Sequence, residues 1–340
     1  MANGVFSGKD FKAWVIEETT TGQVYASPPV VTAPALGADM FQLDVDSVAF
    51  PSLSPNQVTA VRSRGGRVLQ DADFFQDNKI KAIEVSLSGT FHKDAGITML
   101  MQSVTGSALS GTAIDVLLSG TANGVTGKYG TAEGDKTFTL VLEPSDLVDG
   151  FNTVMVGCLC TSFSINADMG TDGGLYKFEA TISSGKIPIT NNVTNPVGTA
   201  SGSGLISLTT ATSADIKIDA ISAPVLTSFG VTVASPAVYT GFTETGYHSF
   251  ARGAEFTVNA NASVKYDSLT KPLYHNFNNQ TAVQDGDFFA IPQPSNNCGI
   301  SIPNGALTDV SFNEGDVMML DVSMMGTSDG TASVIVFDQA

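Results

Sequence analysis

The residues with reactive or metal-binding side chains are few and widely spaced. The cysteines are Cys158, Cys160 and Cys298, and the histidines are His92, His248 and His275. Cys158 and Cys160 share one face of an apolar, strand-like stretch, which favours buried side chains over a metal or redox pair. An odd number of cysteines does not indicate a disulfide-stapled fold. Because the histidines lack the spacing of a zinc site, we predict no metal and no cofactor.

The sequence contains no motif of a familiar catalytic class. A phosphate-binding G-x-x-x-x-G-K-[ST] loop and a G-x-S-x-G nucleophile elbow are both absent. Gly120–Gly130 is rich in glycine but lacks the strand–turn–helix context of a dinucleotide site. The paired carboxylates Asp44 and Asp46 are too few and too far apart for a calcium loop, and fit the solvent-facing side of a strand. We therefore expect that the protein is not an enzyme.

Composition narrows the classes further. The chain has 340 residues, which suggests about two domains, and its net charge is −17, from 16 basic and 33 acidic residues. This acidic balance argues against a partner held by its phosphates. No apolar run of about 20 residues is present, and the N-terminus lacks the features of a signal peptide, so we expect no membrane association.

Strand patterns dominate the chain. Apolar and polar residues alternate in Ile83–Ser88, Tyr176–Ile182 and Phe256–Val264, as in strands with one solvent-facing side. Helical patterns are confined to Asp94–Val104, with Asp94 as N-cap, and Asp267–Phe277. The sequence therefore predicts a mainly β protein, with β-sandwich or half-barrel domains that each carry one short flanking helix.

The surroundings of the two helices resemble each other. KAIEVSLSGTFHKDAGITMLMQSV matches AEFTVNANASVKYDSLTKPLYHNF at an offset of 173 residues, which also aligns Leu43–Pro51 with Ile216–Pro224. Downstream, TSFSIN matches TDVSFN at an offset of 147, and YKFEATI matches MMLDVSM at 142. Three matches in the same order predict two tandem repeats of one fold.

The repeat sets the expected domain boundaries. We expect an N-terminal arm over residues 1–38, a first domain over 39–185, a linker over 186–213 and a second domain over 214–340. The first domain contains a long loop or extended hairpin at 51–79, with a less basic counterpart at Val225–Ala254 in the second. Loops this long in compact domains usually make contacts or serve a function.

The long loop holds a cluster of arginines, Arg62, Arg64 and Arg67, in an otherwise acidic chain. One interpretation is the solvated tip of a hairpin. The other is a basic contact that docks on an acidic neighbour, such as another copy of this protein.

The segment LDVDSVAFPSLSPNQ…RSRGGRVLQ…VSLSGTFHKDAGITMLMQSV, with the arm and the acidic balance, resembles the major tail tube proteins of phages with long non-contractile tails. That resemblance implies a structural virion protein, assembled in the host cytoplasm, whose rings stack into a hollow tube that conducts the genome. Members form hexameric rings, and a duplicated subunit implies a trimeric, pseudo-hexameric ring with one continuous inner barrel. It implies contacts with a tape-measure protein, a tail terminator and distal tail proteins, and double-stranded DNA that passes through without specific binding.

The resemblance also assigns candidate contact and lumen residues. The inter-ring candidates are Arg62, Arg64, Arg67, Phe74, Phe75 and Trp14. The lumen-lining candidates are Glu84, Ser86, Ser88, Asn259, Asn261 and Ser263. A polar or acidic lumen would let DNA slide, whereas a basic one would grip the phosphates.

A second class stays open. Tandem β-sandwich domains also occur in capsid decoration proteins, adhesins and carbohydrate-binding proteins. In such a binding module, Tyr239, Phe242, Tyr247 and Phe250 would stack on sugar rings.

Overall fold

Alternation of apolar and polar residues produces a fold built almost entirely of strands, as predicted. The protein is described by a computed structural model. It describes residues 10–18, 40–51, 56–59, 74–77, 83–106, 113–117, 137–144, 152–185, 188–192, 196–202, 204–211, 216–219, 221–242, 248–251, 256–277, 288–293, 298–315, 317–327 and 333–338.

The described elements follow one another along the chain. The strands are β1 (Phe11–Glu17), β2 (Met40–Leu43), β3 (Val45–Ala49), β4 (Asn56–Thr59), β5 (Phe74–Asp77), β6 (Ile83–Thr90), β7 (Ala113–Leu117), β8 (Phe138–Pro144), β9 (Asn152–Asp168), β10 (Lys177–Ser184), β11 (Ile189–Asn192), β12 (Gly198–Thr199), β13 (Lys217–Ile218), β14 (Ile221–Ser222), β15 (Leu226–Ala234), β16 (Val238–Phe242), β17 (His248–Ala251), β18 (Thr257–Lys265), β19 (Phe289–Gln293), β20 (Cys298–Ile302), β21 (Gly305–Glu314), β22 (Met318–Gly326) and β23 (Ser333–Asp338). The α-helices are α1 (Ala95–Thr105) and α2 (Lys271–Phe277), and Leu208–Thr210 forms a 3₁₀ turn.

The largest sheet has thirteen strands. Eight of them form one antiparallel run in the order β3-β6-β10-β9-β15-β18-β22-β21. We call this the eight-stranded run. The long strand β9 leaves the run at its N-terminal half, where it pairs with β8 and β11 instead. Through β8 the sheet continues to β1, β2 and β12.

A second sheet of six strands has the order β14-β13-β19-β20-β23-β7. Its edge strand β7 comes from the first part of the chain and pairs with β23 from the end. Two separate hairpins, β4–β5 and β16–β17, complete the strand pairing. The hairpin β4–β5 lies within the segment 51–79, which was expected to be a long loop or an extended hairpin.

The eight-stranded run divides into two groups of equal order. The first group is β3-β6-β10-β9 and the second is β15-β18-β22-β21. In each group, a helix follows the second strand along the chain. The fourth strand of each group in the sheet comes before the third strand in the sequence. The shared order agrees with the predicted repeat, although the duplication itself stays a prediction.

One part of the sequence match does not carry over to the sheet. Ile216–Pro224 was aligned with the region of β3, but its strands β13 and β14 lie in the six-stranded sheet. The place beside β18 is taken by β15, within the expected loop Val225–Ala254. The offset of 173 residues comes from the segments around the two helices. It gives a wrong alignment upstream of β18, because it takes no account of residues inserted there.

An aspartate precedes each helix and accepts hydrogen bonds from nearby backbone amides. The Ile97 amide donates to Asp94 Oδ1 at 2.9 Å, and α1 ends at Gly106, whose φ is 65°. The Leu269 and Thr270 amides donate to Asp267 Oδ1 at 2.8 and 3.2 Å. These bonds hold residues 267–270 in a turn, so α2 begins at Lys271 rather than at Asp267.

Large side chains on one face of the run form the core. A series of neighbouring rings leads from the strand ends of the first group through β15 of the second group to β19 of the six-stranded sheet, with centroids 6.3, 5.1 and 6.5 Å apart: Phe91, Tyr176, Phe229 and Phe289. All four are buried. Truncating a buried aromatic ring costs about 3–5 kcal/mol, so this series binds the two groups into one unit.

Described parts of the expected linker, 186–213, pack on strands from the first part of the chain. β11 pairs with β9, and β12 pairs in parallel with β2. Ile206 and Leu208 are buried. The connection therefore contributes to the fold of the first group.

Candidate functional site: a polar sheet face with two open edges

The eight-stranded run has one buried face and one solvent-facing face. Register shows which residues share the second face, because residues directly opposite each other on paired strands point the same way. One row of opposite residues crosses six strands: Ser47, Ser88, Glu179, Ser164, Thr232 and Asn259. We call this side the polar face.

Small polar side chains dominate the polar face and bond to one another. Ser47 Oγ and Ser88 Oγ are 2.8 Å apart. The Ser263 hydroxyl donates to Asp321 Oδ1 at 2.7 Å, and the Asn313 amide group donates to Asp321 Oδ2 at 3.2 Å. In the described strands no aromatic ring lies on this face. The result is a hydrophilic surface with a depression of about 250 Å³ across β3, β6 and β10, whose lining includes Ser47, Ser86, Ser88, Glu179 and Thr181.

Charge on the polar face is predominantly negative. Its basic residues in the described strands are Lys177 and Lys265. Lys177 Nζ donates to Asp46 Oδ2 at 2.8 Å, which neutralises one of them. The acidic residues are Asp46, Glu84, Asp168, Glu179, Asp309 and Asp321. Such a face repels phosphates rather than binding them.

The structure places all the predicted lumen residues on the polar face. Alternation locates them there, since Val85 and Leu87 point into the core between them. They are Glu84, Ser86, Ser88, Asn259, Asn261 and Ser263. Glu179 and Asp321 also lie on the polar face but were not among the candidates. The alternation of apolar and polar residues in YKFEATI and MMLDVSM indicated a solvent-facing side for them too.

The outermost strands of the run each have an unpaired edge. Among the described strands, β3 pairs only with β6, and β21 pairs only with β22. Their outer amides and carbonyls have no strand partner, which makes them templates for pairing with another chain.

Trp14 does not lie on a contact surface. β1 is paired with both β2 and β8, so this part of the expected arm belongs to the sheet. The Trp14 side chain is buried, and its Nε1 donates to Glu143 Oε2 at 2.8 Å. Because no indole surface is left for a neighbour, we remove Trp14 from the inter-ring candidates.

The other contact candidates are only partly described. Arg62, Arg64 and Arg67 lie outside the described residues. Phe74 and Phe75 begin β5, of which the structure gives the backbone pairing alone. Of the aromatic residues in the alternative function, Tyr247 lies outside the described residues. The others belong to the hairpin β16–β17, which is also known by its pairing alone: Tyr239, Phe242 and Phe250.

The described residues offer neither a metal site nor a membrane-spanning helix. In the described part of the chain, no three His, Cys, Asp or Glu side chains are grouped so as to hold a metal ion. No described helix is long and apolar enough to cross a membrane. In comparisons with known proteins, no family model and no curated protein matches the chain.

Proposed function

We propose that this chain is the subunit of a hollow tube built from stacked rings, and that the tube conducts a phage genome. The observation that carries the proposal is the junction between β9 and β15, which we call the internal seam. It joins the last strand of the first group to the first strand of the second, over seven antiparallel residue pairs.

The two open edges belong to the counterparts of those same strands. β21 occupies in the second group the place of β9, and β3 occupies in the first group the place of β15. Strand direction alternates along the whole run, so β21 of one copy can pair antiparallel with β3 of the next. Repeating the internal seam between copies gives head-to-tail association, which closes into a ring when the rotation between neighbouring copies is a whole fraction of a full turn.

Strand spacing bears on the size of that ring. Three copies supply about 24 strands, which at about 4.8 Å each give a circumference of about 115 Å and a backbone diameter of about 37 Å, more if the strands tilt. The polar face lines the inside, because the other face packs on the core. A trimer is therefore sufficient for an open channel, and a hexamer is the alternative.

The charge of the polar face suits a conduit for DNA. Basic side chains would bind phosphates through counterion release and hold the duplex in place. A net negative, hydrogen-bonded surface leaves DNA free to move. In this function the protein is a component of the virion tail, with a tape-measure protein, a tail terminator and distal tail proteins as neighbours.

Disulfide trapping tests the seam between copies. Ser164 lies opposite Thr232 in the internal seam, and the offset of 147 carries Ser164 onto Ser311. Ala49 takes the place of Thr232, because Thr232 pairs with Asn259 and Ala49 pairs with Ser86, the residue 173 positions before Asn259. β3 and β21 lie on the order of 30 Å apart along the run, so a disulfide between them within one chain is excluded. We expect oxidised A49C/S311C protein to give covalent products of two and three chains.

Matched variants make the result specific. S164C/T232C should form a disulfide within one chain, whereas A49C/N259C should form none, because Asn259 lies on an interior strand. A49C/N313C tests a register shifted by two residues. A ladder that ends at six chains would replace the trimer by a hexamer. A protein that stays monomeric, with no rings or tubes in electron micrographs, would refute the proposal.

A further inference from the structure

One end of the first group of strands is covered by the linker. We call this end the helix-side rim, because β6 and β18 lead from it into α1 and α2. The Tyr176 amide donates to the Ile206 carbonyl at 2.8 Å, and the Leu208 amide donates to the Gly174 carbonyl at 2.8 Å. The Ser201 hydroxyl donates to Asp94 Oδ2 at 3.0 Å. The linker thus contacts both the strand ends and the cap of α1.

The helix-side rim of the second group is exposed in the described structure. Val225, Val317, Met318 and Leu269 are 54, 57, 45 and 44% exposed. The first three lie on adjoining strand ends, since the Lys265 amide donates to the Val225 carbonyl and the Tyr266 amide donates to the Met318 carbonyl, both at 3.0 Å. Apolar side chains grouped in this way mark a contact surface.

The asymmetry between the two rims suggests what covers the second. The covering segment of the first rim is the one that leads into the second group. By the same arrangement, the segment leading into the first group, residues 19–39 of the expected arm, would cover the rim of the group before it. In a ring, that group is the second group of the neighbouring copy.

The two leading segments share a sequence pattern. In the linker, Ala200-Ser201 is followed by Leu205-Ile206-Ser207. In the arm, Ala26-Ser27 is followed by Val30-Val31-Thr32, with one residue fewer between. Ser201 and Ile206 are the linker residues that bond to the α1 cap and to the end of β10. Ser27 and Val31 occupy the corresponding positions of the arm.

We infer that the arm of one copy docks on the helix-side rim of the adjacent copy within the same ring. Ser27 then bonds to Asp267, and Val31 lies beside Met318. This inference rests on the proposed ring. Across the seam, β3 lies two strand spacings from the neighbour's β22, about 10 Å, whereas its own β22 is six spacings away, about 29 Å. The arm therefore fastens neighbouring copies to each other within one ring.

A disulfide between arm and rim tests the docking in assembled tubes. The native cysteines are buried, so introduced ones dominate the reaction. We expect V31C/M318C tubes to yield chains linked to one another. The crosslinked fraction should be about tenfold that of V31C/M325C or more, because docking raises the effective concentration of the thiols. Met325 is the matched control, since it is exposed at the opposite end of β22.

The outcomes separate this inference from the proposed function. A disulfide confined to single chains would mean that the arm folds onto its own second group. Tubes that form without the crosslink would refute the docking and leave the tube intact. Failure of the unmodified protein to form rings would refute the function itself.

Hydrogen exchange on unmodified protein provides a second measurement. Amides of residues 24–36 should gain protection in single rings, and protection that appears only after rings stack would overturn the inference.

Discussion

Asp219 is a buried carboxylate on a turn with unusual backbone geometry. Its φ is 46°, a left-handed conformation that Asn and Asp tolerate better than most residues. Burial raises its pKa above the ordinary value. The folded state therefore disfavours the ionised form, and this destabilises the protein at pH values above the folded pKa. The penalty is lost as the pH falls to the unfolded pKa.

We expect Asp219→Asn to raise the melting temperature at neutral pH, because Asn keeps the turn geometry and has no charge to bury. The gain should shrink as the medium is made acidic, since the wild-type carboxyl is then neutral as well. Thermal melts across that pH range measure it, with Asp309→Asn on the exposed polar face as the control. A gain that is independent of pH would mean that desolvation is not its cause.

Single residues show where sequence reasoning succeeds. Glu84 and Ser86 were correctly assigned to a solvent-facing side, because a period of two fixes the face whatever strand lies next to it. Trp14 was misassigned, because its partner Glu143 is 129 residues away in the chain. No local pattern reports a contact over that separation.

At the scale of elements, the cap of α1 joins helix and linker. Asp94 accepts from the Ile97 amide and from the Ser201 hydroxyl with different carboxylate oxygens. We expect Asp94→Ala to cost about 1 kcal/mol or more in the free energy of unfolding, as N-cap removal does. Urea unfolding followed by circular dichroism measures the loss.

The matched variant is Asp94→Asn, which keeps a side-chain oxygen for the helix amide and should remain close to wild type. Ser201→Ala isolates the linker bond, and its effect should be smaller than that of Asp94→Ala. If Asn destabilises as much as Ala does, the cap bond is not the main contribution of Asp94.

Local patterns predicted most elements well. The expected helix Asp94–Val104 is α1 within one residue at each end, and the alternating segments are β6, β10 and β18. β15 was missed although Phe229, Val231 and Val233 alternate as buried residues. The fixed offset of the repeat assigned that stretch to a loop, and sequence comparison alone cannot place an insertion.

At the scale of the whole molecule, the negative charge of the polar face predicts that assembled tubes do not retain DNA. Ser86→Lys with Asn261→Lys adds two positive charges to exposed mid-strand positions without changing the strand edges. We expect rings and tubes to form as in wild type. The variant tubes should retain short duplex DNA, in a salt-dependent way that wild-type tubes lack. Fluorescence anisotropy of labelled duplex measures retention.

Ser86→Gln with Asn261→Gln is the control for side-chain size. Equal retention of DNA by wild-type, glutamine and lysine tubes would mean that the polar face does not contact DNA.

The order of strands across the molecule could not be predicted from local patterns, since it depends on pairings between distant segments. The resemblance supplied the expectation of a continuous inner barrel, and within the chain the two groups do join in one sheet.

The internal seam has a consequence for the accuracy of assembly. Because both groups are on one polypeptide, their mutual effective concentration exceeds that of free chains, and the internal seam forms first. In the proposed ring, subunits would therefore join only in pairs of groups, and a ring with an odd number of groups could not arise. The peptide link would halve the number of joining events and remove every odd-numbered product from the assembly pathway.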